Sequence, residues 1–153
     1  MSDVESLLGE LPFFYGMEDA HLATIAETAT AVDFVGGSTI FEEGGEADSC
    51  YLLLEGDVAL ELIAPGRGPH VVQTLHSGDV LGWSWLFPPY RWLFDAQALT
   101  DTRAVRFDAP ALRAAKDTDP ALGYDLLSRF AEVMVARMQA ARIQLMDIYG
   151  SVR

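Results

Sequence analysis

The spacing of apolar positions changes character twice along this 153-residue chain. At its start, Ser2-Asp3-Val4-Glu5 matches a capping box, with Ser2 as N-cap and Glu5 three residues on, leading into Leu7, Leu8 and Leu11. A second short helix is predicted from about Met17 to Ala29, with Leu22, Ile25 and Ala26 on one side. From residue 31 the pattern becomes that of short strands: Ala31–Val35, Thr39–Phe41, Tyr51–Leu54, Val58–Ile63, Val71–Leu75, Ala96–Leu99 and Thr102–Phe107. Glycine and proline turns such as Gly36-Gly37, Gly44-Gly45, Pro65-Gly66 and Gly78 separate them at roughly 8 to 12 residues, the spacing of an all-β sandwich or roll.

After Phe107 the helical period returns. Asp108 is placed to cap a short helix through Lys116, with Pro110 in its first turn. Asp119-Pro120 opens a second helix that runs uninterrupted to about Tyr149, where Gly150 can stop it. On it Leu127, Phe130, Met134, Met138, Ala141, Leu145 and Ile148 fall at helical spacing. At 1.5 Å per residue the helix is roughly 40 Å long, more than a domain of this size needs for itself. The stripe therefore predicts a partner helix, and a homodimer is expected in preference to a helix folded back on its own roll.

Composition narrows the classes. Half of the residues are hydrophobic and 22% are charged, which excludes intrinsic disorder. No apolar run approaches a membrane span, and the first residues lack the basic and apolar regions of a secretory signal, so a cytoplasmic protein is expected. The net charge is −13, and residues 1–66 carry 14 acidic side chains with no Lys or Arg. Such a surface repels phosphate backbones and anionic lipid, so neither nucleic acid nor membrane is an expected partner.

Two segments carry more specific information. Residues 40–58, with Gly44-Gly45, the strand Tyr51-Leu52-Leu53-Leu54 and Gly56 before Val58, resemble the first hairpin of the cyclic-nucleotide-binding domain in the catabolite activator and fumarate–nitrate regulator family. Leu75-His76-Ser77-Gly78-Asp79-Val80-Leu81-Gly82 resembles the strand that enters that family's phosphate-binding cassette. The resemblance covers roughly residues 5 to 148. It implies a mainly β fold with flanking helices (α+β), a jelly-roll-like double-stranded β-helix. In a single domain, residues 1–30 would form N-terminal helices, 31–107 the roll with its cassette at 78–97, and 108–149 the C-terminal helices that dimerise. Regulators of this family continue into a helix-turn-helix module. This chain ends at Arg153, so output through a partner protein, without direct DNA binding, is the expectation.

The cassette departs from the family pattern. In ligand-binding members a Gly is followed by a Glu that holds the ribose, and an Arg followed by Ser or Thr meets the phosphate. Here Gly82 is followed by Trp83, and Trp92-Leu93-Phe94 stands where Arg-Ser is expected. Arg91, directly after Pro88-Pro89-Tyr90, is the only guanidinium in the cassette. Each loss costs about 1–3 kcal/mol of binding in a desolvated site, which together weakens a cyclic nucleotide by roughly a hundredfold or more. Cyclic AMP and cyclic GMP are therefore expected to bind weakly or not at all, and no other cofactor is implied.

Six of the chain's 16 aromatic residues, including all three tryptophans, fall within residues 83–94. They can plug an abandoned nucleotide pocket, form a protein-binding patch, or line a pocket for a planar or apolar ligand. The candidate ligand-binding residues are Gly82, Trp83, Ser84, Trp85, Arg91 and Trp92. The candidate dimer residues are Leu127, Phe130, Met134, Met138, Ala141 and Leu145.

Catalytic and metal chemistry find no support. The histidines His21, His70 and His76 are too dispersed for a cupin-type metal set, and His70 and His76 read as strand-end residues. Cys50 has no basic neighbour in sequence to activate it. No nucleophile elbow, zinc-binding helix or phosphate loop occurs. Three readings result: a sensory module that responds to a small ligand, an interaction protein of the same fold with a filled pocket, and a metal-dependent cupin-type enzyme as the outsider. Arg91 pointing into a cavity beside Gly82 favours the first, and Trp83 or Trp92 filling that cavity favours the second.

Overall fold

The computed structural model describes residues 3–150, so Ser2, the predicted N-cap, lies outside the described residues, as does the side chain of Ile148. Helix α1 (Asp3–Gly9), a 3-10 turn at Pro12–Phe14 and α2 (Asp19–Ala26) precede eight strands. These are β1 (Ala29–Phe34), β2 (Thr39–Phe41), β3 (Ser49–Glu55), β4 (Val58–Ala64), β5 (Gly68–Leu75), β6 (Val80–Leu81), β7 (Asp95–Ala98) and β8 (Thr102–Asp108). Helices α3 (Ala109–Thr118) and α4 (Pro120–Gly150) follow. The strands form two antiparallel four-stranded sheets, ordered β1-β8-β3-β6 and β2-β7-β4-β5, as expected of a β-roll.

The continuous apolar run of β3 reflects burial on both faces. Cys50 and Leu52 turn outward into a core shared with Leu8, Phe14, Ile25, Leu112, Leu126 and Phe130 of the helical layer. Tyr51 and Leu53 turn inward to Val58, Leu60, Leu75, Leu81 and Ala104 inside the roll. The two-residue period thus joins one sheet to two cores, and the helices cover the outer one. Burial pushes the Cys50 thiol well above its ordinary range, with the Arg106 charge opposing only in part.

Asp108 caps α3 as anticipated, its Oδ2 accepting the Ala111 amide at 3.0 Å. Helix α2 is shorter than the predicted Met17–Ala29. Met17 packs into the core from the preceding loop, and Glu18 is extended. At the other end Ala29 pairs with Phe107 and the Thr28 carbonyl accepts the Asp108 amide, so the sheet claims both residues. Sheet hydrogen bonds override the local helical pattern there.

Helix α4 divides into two parts. Leu122, Leu126 and Phe130 are buried against the domain's own helices, with the Phe130 ring 5.1 Å from Phe13 and 5.6 Å from Trp85. Phe130, at 1% exposure, is therefore a core residue, which corrects its assignment to a dimer surface. Met134 is half-buried against the same core, while Leu127, Met138, Ala141 and Leu145 are exposed. Arg129 ties the helix down by donating to the Phe13 and Tyr15 carbonyls and to Asp125. Among the described residues no helix is long and apolar enough to cross a membrane.

Candidate functional site

The cassette leaves β6 at Gly82, whose φ of +94° suits glycine. A Cβ built there would stand 2.7 Å from Cζ3 and 2.8 Å from Cη2 of Trp92, so the indole rests against the glycine backbone itself. On its other side the indole stacks on Phe41 of β2, the rings 3.8 Å apart and 8° from parallel. Trp92 is 5% exposed. The space left beside Gly82 amounts to about 20 Å³, bordered by Trp83, Ser84 and Trp92, which is room for about one water.

Backbone pairing decides which cassette side chain points inward. The Trp92 amide donates to the Gly45 carbonyl at 2.9 Å and its carbonyl accepts the Gly44 amide at 2.8 Å. The Tyr90 carbonyl accepts the Ala47 amide, and Arg91 bridges Glu46. Neighbours in an extended segment face opposite sides. Trp92 therefore enters the roll, and Arg91, the only guanidinium within the cassette, is exposed to solvent. The buried Asp95 holds the same loop by accepting the Glu43 amide at 2.7 Å.

After Trp83 the cassette makes a single 3-10 turn, Ser84–Leu86, ended at Phe87 by the proline pair that follows. It turns Trp85 away from the roll. That ring is fully buried edge-on to Phe130, and the Arg113 guanidinium of α3 donates to its carbonyl at 2.9 Å and lies 4.3 Å from the Tyr90 ring centre. Of the six candidates, Gly82, Trp83, Ser84 and Trp92 converge on the small space, whereas Trp85 belongs to the helical core and Arg91 to the surface.

A residue that sequence reasoning missed completes the arrangement. Arg137 of α4 reaches back so that its guanidinium carbon lies 4.8 Å from the Trp83 ring centre, and it donates to the Val80 carbonyl. Desolvation pulls its pKa down to about 10, with Asp79 acting in the opposite sense. The available signal was a charge seven residues beyond Phe130, hence on the helix face that Phe130 and Leu126 bury.

The remaining chemistry-bearing residues are dispersed. His76 Nδ1 lies 2.7 Å from Asp57, His70 is exposed on β5, and His21 is buried near Asp119. Among the described residues no three His, Cys, Asp or Glu side chains gather as a metal set.

The tryptophans are distinguishable in solution. Trp85 and Trp92 are buried and Trp83 is half-buried. Acrylamide should therefore quench mainly Trp83, and a Trp83→Phe variant should lose most of the quenchable emission. Loss of that component in Trp92→Phe instead would place the accessible ring at the wrong position.

The family profile of the cyclic nucleotide-binding domain matches residues 31–119, from β1 through α3. Over 145 residues the chain is 27% identical to a CRP-like cAMP-activated global transcriptional regulator of Mycobacterium tuberculosis, covering 95% of this chain and 63% of that protein. The chain thus spans less than two thirds of that relative's length. It is 30% identical over 106 residues to a cAMP-dependent protein kinase regulatory subunit of Schizosaccharomyces pombe, covering 69% of this chain and 25% of that one. A crystal structure of a candidate cyclic nucleotide-binding protein from Geobacter metallireducens superposes with a TM-score of 0.80 at 32% identity, covering 90% of this chain and 99% of the other. With the profile matching more than half of its length and the roll closed in the same way, the chain belongs to the cyclic nucleotide-binding domain family, in the form found in CRP-like regulators.

Proposed function

We propose that this domain is a non-enzymatic regulatory module whose nucleotide cassette is filled by its own side chain. It acts through protein contacts, as a homodimer along α4 that passes its output to a partner protein. The single observation that carries this reading is Trp92, lodged between Gly82 and Phe41. A cyclic nucleotide must displace that indole and would then meet neither an acidic ribose acceptor after Gly82 nor a guanidinium from the cassette, because Trp83 stands at the first position and Arg91 faces solvent. The cyclic AMP dependence in the names of the two relatives belongs to those proteins and is not carried over to this cassette.

The test is calorimetric titration with cyclic AMP and cyclic GMP. Neither should bind in the low micromolar range, since the missing contacts alone cost roughly a hundredfold. A low-micromolar dissociation constant, lost in Arg91→Ala, would show that the cassette opens and that Arg91 turns inward.

The outer edge of the cassette supports its use as an interaction surface. Phe87 is 50% exposed and Leu93 61% exposed, on either side of Pro88-Pro89 and Tyr90. Aromatic rings presented on a proline-stiffened loop lose little conformational freedom when a partner covers them.

A further inference from the structure

The outer edge of the cassette is held in one shape by its own backbone. The Tyr90 amide donates to the Phe87 carbonyl at 2.9 Å, closing the turn around Pro88-Pro89, and the Tyr90 carbonyl accepts the Ala47 amide at 2.7 Å. Tyr90 has a φ of +57°, the one positive value among the described residues other than glycine, a conformation that persists only where the surroundings enforce it. The Arg113 guanidinium covers its ring, 4.3 Å from the centre. Phe87 and Leu93, 50% and 61% exposed, therefore stand on a stiff loop.

Acidic side chains flank these two. The hydrogen bonds of Tyr90 and Trp92 lay residues 43–47 alongside 90–95, with Glu46 opposite Arg91. Cross-strand partners share a face, and so do residues two apart, so Glu46, Arg91 and Leu93 all point outward. Glu42 and Glu43 are exposed in the adjoining turn, which Asp95 fixes by accepting the Glu43 amide. Among the described residues none of Glu42, Glu43 and Glu46 forms an ion pair. Arg91 is the one basic residue on this ribbon, and residues 1–66 hold no Lys or Arg to neutralise it further.

We propose that this edge docks a cationic segment of a partner protein, with apolar side chains on Phe87 and Leu93 and basic ones on Glu42, Glu43 and Glu46. The inference rests on the reading of the filled cassette as an interaction module and names the chemistry of the partner. Charge selects the occupant: unpaired carboxylates repel anionic segments and steer cationic ones toward the apolar contacts beside them. A second copy of this chain fits poorly, since a two-fold contact through this edge would set the same carboxylates against one another.

The experiment titrates a synthetic amidated peptide of Leu-Arg-Arg-Leu repeats into the full chain by calorimetry at about 50 mM salt. The peptide should bind saturably, with spermine and a version carrying Ser for Leu each at least about tenfold weaker. Glu42→Gln with Glu43→Gln and Glu46→Gln should lower its affinity roughly tenfold, and Leu93→Ser should do the same. The exposed Glu10, Asp19 and Glu27 serve as the charge control, because changing all three to their amides removes as much net charge far from the cassette in sequence. That variant should lose about twofold or less. The proposal is overturned by absence of saturable binding, by equal binding of spermine or of the Ser version, by unchanged affinity in Leu93→Ser, or by a charge control that loses as much as the cassette-edge variant. The cyclic nucleotide titration stands apart: if the nucleotides and the peptide both fail to bind, this docking surface is lost while the filled cassette stands.

Discussion

Trp92→Ala lowers the unfolding free energy by about 3–5 kcal/mol, seen as a fall in Tm of about 6–20 °C by calorimetry. The ring is 5% exposed, stacked on Phe41 and pressed on the Gly82 backbone, and its main chain is held to Gly44 and Gly45 by two hydrogen bonds. Those straps keep the segment in place when the side chain is cut, so the surroundings collapse only in part and an apolar cavity of indole shape remains. Apolar cavities of this kind take up small aromatic molecules. Millimolar indole should therefore restore about 1 kcal/mol or more of stability to Trp92→Ala and nothing to the unaltered protein. A loss below about 1 kcal/mol, with no rescue by indole, would mean that the ring does not fill the roll and that the cassette is open to ligand.

The unaltered chain should sediment at about twice its 16.7 kDa mass, and Met138→Glu with Leu145→Glu should make it monomeric. Met138 and Leu145 are each 54% exposed, so neither substitution touches the domain's own core, and helix content by circular dichroism should be unchanged. Because Phe130 is buried within its own domain, the proposed seam takes the exposed Ala131 in its place. Leu127, Ala131, Met134, Met138, Ala141 and Leu145 then follow one another at steps of four and three, the heptad repeat of a two-helix coiled coil. Two carboxylates per protomer in such a seam cost several kcal/mol, so the dimer dissociation constant should rise by about a thousandfold or more. A Met134→Glu change would be less informative, since Met134 also packs against its own core. An unaltered chain that stays monomeric at high micromolar concentration sinks the idea.

The sequence by itself determined the succession of elements. Period-two runs between glycine turns marked the strands, and Thr39–Phe41 has the bounds that were read from them. Asp108, three residues before Ala111, announced the α3 cap. Gly82 followed by Trp83, and Trp92-Leu93 where the resemblance implies Arg-Ser, were legible as departures from that family pattern. These signals are local: a turn, a cap or a strand face is decided by residues within a few positions of one another.

What only the tertiary structure decided depends on contacts between distant segments. Whether Arg91 or Trp92 faces inward follows from the pairing of residues 90–92 with 44–47, which sets the phase of an otherwise ambiguous extended stretch. The separation of Phe130 from the other stripe residues follows from the rotation of α4 against Phe13 and Trp85, since a wide apolar stripe can face two partners at once. Arg137 meets Trp83 across 54 residues of sequence because α4 returns along the roll. Periodicity shows which residues share a face of a helix, but what that face meets is set by how the helix packs.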